Sequence, residues 1–138
     1  MYNLHLSSVI ELLGLKKTII HYVKIDAQGS DLDVFKSLGK YARNVLFVQV
    51  ESVVSRNQNI RLYERQSLFE EERPVFERAG FQLFHVQEYS RDASPEADVV
   101  YVNQRLFRDL LGEISRSCAR TQSLRPRNLR FANSCDYQ

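Results

Sequence analysis

Two carboxylates stand where chemistry is easiest to place. Asp26 follows the apolar run Ile19–Ile25, and Glu51 follows Val45–Val50. Ligands of open α/β sheets bind in the crevice outside the carboxyl ends of the strands. If the two runs are parallel neighbours, both acids share that edge. A carboxylate pair there can hold a metal, position a polar substrate, or give one member a raised pKa for base work. Each acid could equally just cap a helix or turn. Gln28-Gly29 follows Asp26 directly; a glycine there permits either a left-handed turn or close approach of a ligand to the backbone. Lys24, inside the apolar run, must find a partner or reach outward to water. Tyr63, Glu64, Arg65 and Gln66 lie in a long polar stretch, where they could line a substrate pocket or form a solvated loop. His5, His21 and His85 carry no metal-ligand spacing and read as structural.

The elements that must position these residues follow from periodicity. Leu6, Val9, Ile10 and Leu13 fall at helical spacing, which predicts a helix over Leu4–Leu13 with Ser7 or Ser8 at its start and Gly14 at its end. Ile19–Ile25 reads as a strand, and its near-continuous apolarity predicts burial on both faces. A helix over Asp31–Leu38 follows, with Leu32, Phe35 and Leu38 inward. Val45–Val50 is a second strand. Ser52–Leu68 is long and polar, the length at which a loop is functional or unstructured. A helix over Leu68–Ala79 carries Glu70, Glu71 and Glu72 near its start, where the helix dipole favours acids, and Pro74 implies a start near Glu72 or a kink. Phe81–Tyr89 and Asp98–Asn103 predict an antiparallel hairpin, and Gln104–Ser115 a final helix. The alternation argues an α/β sheet with right-handed crossovers.

The 138 residues carry a net charge of +2, too little to imply nucleic acid, and no apolar run approaches a membrane span. No signal-peptide pattern opens the chain. From Arg116 onward there are five arginines and one acid, Asp136. That composition predicts a basic, unstructured tail over residues 116–138, without the interleaved aromatics that stack on bases. Cys118 and Cys135 lack metal or redox spacing and read as reduced thiols in a cytoplasmic protein.

The segment Val23-Lys24-Ile25-Asp26-Ala27-Gln28-Gly29-Ser30-Asp31-Leu32-Asp33-Val34 resembles the Lys-Ile-Asp-x-Glu/Gln-Gly-x-Glu/Asp signature of FkbM-type S-adenosylmethionine-dependent methyltransferases. Its surroundings agree over about residues 4–104. The helix Leu6–Leu13 precedes it, a strand ending in Glu51 follows, and Leu62-Tyr63-Glu64-Arg65-Gln66 resembles the family's Leu-Tyr-Glu-x-Gln stretch. The resemblance implies a partial Rossmann-like methyltransferase sheet with flanking helices. Residues 1–115 would supply its C-terminal half, strands four to seven, the last pair an antiparallel hairpin. The cofactor implied is S-adenosylmethionine, with Asp26, Gln28 and Gly29 on its side. Glu51 with Asp26 would be catalytic, and Tyr63 and Gln66 would bind a small-molecule, sugar or lipid-like acceptor. The five glycines form no nucleotide-binding loop. The expectation is therefore a truncated chain, inactive alone. The alternative is a non-catalytic module that pairs with a copy of itself or another chain through an exposed sheet edge.

Overall fold

The computed structural model describes residues 4–54, 63, 66–88 and 95–123, with side chains through Ser117. Its elements run α1 (Leu6–Leu12), β1 (Ile20–Ile25), α2 (Asp31–Ser37), a 3-10 turn (Gly39–Asn44), β2 (Val45–Val53), α3 (Phe69–Arg78), β3 (Phe81–Glu88), β4 (Glu96–Asn103) and α4 (Gln104–Ser123). The described strands form one mixed sheet in the order β1-β2-β4-β3. β1 and β2 are parallel, whereas β4 is antiparallel to both β2 and β3. The expected β3–β4 hairpin forms, but β4 inserts beside β2 instead of lying outside β3. This insertion sets the register Glu51↔Asp98, Ser52↔Ala97 and Val53↔Glu96. It also lengthens β2 by three residues, so Glu51 sits inside the strand.

One face of the sheet carries the core. Val48 and Val50 of β2, Val99 and Tyr101 of β4 and Ile25 of β1 alternate onto it, and Phe35 of α2 and Phe76 of α3 close over them. The alternation is the two-residue period of a strand with one face buried. Phe76 stacks flat on Tyr101 with ring centroids 4.1 Å apart, lies 4.2 Å from Phe35, and meets Phe81 edge-on. Aromatic pairs of this kind add about 0.5–1.5 kcal/mol beyond the area they bury. α1 docks through a hydrogen bond from the Leu6 amide to Ser37 Oγ and one from the Tyr41 hydroxyl to Glu11.

On the opposite face α4 covers β2 and β4, where Phe107 meets Phe47. Among the described residues nothing covers β1 in this way. Only Ile25 of that strand is buried, and Tyr22 is half exposed. The expected burial on both faces is therefore corrected. Among the described strands β1 lies at the sheet's edge, with Tyr22 and Lys24 alternating onto the side away from the core, while Val23 and Ile25 turn to the core.

Three local expectations also change. His5, not a serine, occupies the position before α1 and makes no side-chain cap. α3 begins at Phe69 and keeps Pro74 inside it; its first turn is held by a reciprocal bond from the Leu68 amide to Glu71. α4 runs eight residues past Ser115 to Ser123. Arg116, Ala119 and Arg120 are good helix formers, and no proline follows until Pro126. The remainder of the predicted tail, with Cys135, lies outside the described residues, as does the side chain of Cys118.

Candidate functional site

The parallel pairing of β1 with β2 settles the placement of the two carboxylates. Ile25 pairs with Val50, so Asp26 and Glu51 occupy the next step of the register at the carboxyl edge of the sheet. Asp26 is exposed and forms an ion pair with Lys24 at 3.7 Å. Lys24 thus both finds a partner and reaches outward. Glu51 is partly buried, and β4 brings Glu96 and Asp98 beside it. Burial raises the Glu51 carboxyl above the ordinary carboxylate range, and the neighbouring charges of Glu96, Asp26, Asp98 and Asp31 push it the same way. Oδ1 of Asp98 is buried without a hydrogen-bond partner among the described residues. The edge therefore gathers the carboxylates of Glu51, Glu96 and Asp98. No cluster of three His, Cys, Asp or Glu side chains able to hold a metal occurs among the described residues.

The loop after β1 is built by its own last acid. Asp31 is buried, and its two oxygens accept the amides of Ala27 and Gly29, each at 3.2 Å. These bonds wrap the turn around one carboxylate, with Gln28 and Gly29 both at positive φ (46° and 96°). Gly29 is needed here for two reasons. Its backbone is left-handed, and a Cβ on it would lie 2.9 Å from Tyr63 Cβ and 3.1 Å from the Gln66 amide nitrogen. The bare side of Gly29 is thus filled by Tyr63 and Gln66, which hold the chain after β2 against the loop after β1.

Tyr63 and Gln66 meet the signature loop as a pair, and the Gln66 amide bonds back to the Tyr63 carbonyl. The Gln66 side chain turns inward: it is 2% exposed, and its amide donates to Glu96 Oε1 at 2.9 Å. Gln28 is exposed. Glu64 and Arg65 lie outside the described residues. Reading the residues one by one missed Asp31, Glu96 and Asp98. Asp31 had a signal, being the closing acid of the signature two positions after Gly29. Glu96 and Asp98 had none, because only the insertion of β4 carries them to Glu51.

A family model, the methyltransferase FkbM domain, matches residues 3–83, more than half of the chain. The chain belongs to the FkbM methyltransferase family. The matched span holds the Asp26–Asp31 loop, Glu51, Tyr63 and Gln66, whereas Glu96 and Asp98 of β4 lie beyond it. The mixed sheet with flanking helices agrees with a methyltransferase α/β fold. The expectation that only a C-terminal half of the family's domain is represented is not borne out by this match. Neither the curated proteins nor the solved structures compared gave a match. No helix among the described residues is long and apolar enough to cross a membrane.

Proposed function

We propose that this FkbM-family chain serves methyl transfer from S-adenosylmethionine to an oxygen or nitrogen of a small-molecule, sugar or lipid-like acceptor, at the edge formed by Asp26 and Glu51. The observation that carries the reading is the convergence of carboxylates at this edge. Glu51, Glu96 and Asp98 converge there beside the family's signature loop, and one oxygen of Asp98 is buried and unpartnered among the described residues. That donor set suits the positive end of the cofactor. When bound, S-adenosylmethionine supplies a methyl group on a positively charged sulfur. The chain's own residues would then orient and deprotonate. Asp26 and the Gln28–Gly29 turn form the wall on the cofactor side, held in shape by Asp31. Glu51, its carboxyl raised by burial and like charge, is a better base than an ordinary glutamate and takes the acceptor's proton. Tyr63 borders the acceptor side, and Gln66 steadies Glu96 there.

The test compares binding of S-adenosylmethionine with that of its demethylated thioether, which lacks the sulfonium charge, by titration calorimetry on the whole chain. The charged form is expected to bind about fivefold more tightly, the worth of roughly 1 kcal/mol for a partly exposed charge contact. Glu51→Gln should shrink that preference. Equal affinities, or no binding of either, would sink the reading.

The exposed edge of β1 favours a second reading, an association module. Among the described residues only β2 pairs with β1, and a bare strand edge is a template for another chain. Sedimentation across a range of concentrations should then reveal a dimer, weakened about tenfold (roughly 1.4 kcal/mol) by Tyr22→Lys on that strand. A monomer at every concentration would exclude it.

A further inference from the structure

Behind the acidic edge, on the core side of the sheet, lies a second polar group that the proposed chemistry does not use. Ser52, next to Glu51 in β2, is fully buried, and its hydroxyl donates to Glu72 in the first turns of α3. Glu72 is itself 2% exposed. The same junction is closed by a bridge between Val53 and Leu68 and by the Glu72 amide bonding to the Leu68 carbonyl. Gln66, whose amide nitrogen lies 3.1 Å from where a Gly29 Cβ would be, stands two residues before that bridge.

Among the described residues, the groups facing Glu72 offer its negative form nothing but one hydroxyl. Asp31 from α2 and Glu71 from its own helix are acids. From β4 comes Tyr101, whose hydroxyl is buried and without a partner among the described residues. Arg73 acts on Tyr101 and is occupied by Glu77 at 2.8 Å. A buried carboxylate without a cation is costly, so burial and these acids lift the Glu72 carboxyl to about 8.

We propose that the Ser52–Glu72 pair is a proton-operated latch joining the end of β2 to the start of α3, closed while Glu72 is neutral and released as water takes its proton. Closed, it fixes Ser52 directly behind Glu51, and fixes Leu68 close behind Gln66. Open, Glu72 is solvated and ionises like an ordinary glutamate. The latch is a property of the fold and stands whether or not the chain binds a methyl donor.

Hydrogen exchange of the whole chain, corrected for the intrinsic pH dependence of amide exchange, reads the latch without any ligand. Between pH 5 and pH 8 the open form sheds the Glu72 proton while the closed form keeps it. Protection of the amides of Val53 and Gln66–Glu72 should therefore fall about tenfold per pH unit over that range and level off above it. In Glu72→Gln the same amides should show no slope. Ser52→Ala keeps the buried acid and loses its partner, so protection should be lower while the slope remains; this variant decides the matter if Glu72→Gln does not fold. A wild-type profile flat in pH, a slope that survives in Glu72→Gln, or a slope lost in Ser52→Ala would each overturn the proposal.

Discussion

Gly29→Ala is expected to cost about 3 kcal/mol of folding stability, measured as the shift of a urea unfolding midpoint. Two penalties meet at this residue. A side chain at φ +96° pays for a left-handed backbone, roughly 1–2 kcal/mol. The new Cβ also enters space already held by Tyr63 Cβ at 2.9 Å and the Gln66 backbone at 3.1–3.3 Å, a crowding worth roughly 1–2 kcal/mol. Neither neighbour is the free end of a flexible side chain, so the contact cannot be relieved by a rotamer change. Gly14→Ala is the control. Gly14 has φ +71° with nothing within 4 Å of its would-be Cβ, so only the backbone penalty, roughly 1–2 kcal/mol, applies. Equal losses in the two variants would show that Gly29 serves its turn alone and that the two loops are not locked by close contact.

Glu72 should make the chain less stable as the pH rises across the neutral range. Its carboxyl is lifted to about 8 in the fold from an ordinary 4.5. Between those values the folded chain holds a proton that the unfolded chain has released. Stability from this group is therefore complete below pH 4.5, falls by about 1.4 kcal/mol per unit above it, and is lost by the time the pH has passed 8. The summed effect is on the order of 5 kcal/mol, a large share of the stability of a small domain. Glu72→Gln keeps the size and a hydrogen-bonding group and removes the charge. Its unfolding free energy should match the wild type near pH 5 and exceed it by several kcal/mol near pH 8.5. Parallel pH profiles for the two proteins would mean that Glu72 is ionised and accommodated at neutral pH. Other acids also titrate, but they do so in both proteins, and the difference between the profiles isolates Glu72.

Both predictions concern residues whose importance rests on neighbours distant in sequence, and the same division runs through the fold. The sequence by itself determined the elements, because each is short-range physics. Apolar spacing marked α1 and α2, β-branched runs marked β1 and β2, and the acids of the first turn marked α3. It also determined the family, because the Lys24–Asp31 signature and its flanks are contiguous strings. Placing Asp26 and Glu51 on one edge needed only that two β-branched strands separated by a helix be parallel. The tertiary structure decided what lies around them. Strand order is set by which edges pair and what covers them, information that no single segment carries. The apolar run of β1 could not show that α4 covers β2 and β4 but not β1. Nor could the hairpin sequence show that β4 would slot in beside β2 and bring Glu96 and Asp98 against Glu51. Gly29 was legible as a turn residue, but its role in locking Tyr63 and Gln66 depends on contacts across more than thirty residues of chain. Glu72 read as an acid favouring a helix start and proved to be buried against Ser52, because the docking of α3, not its dipole, chooses which of three adjacent glutamates faces the core.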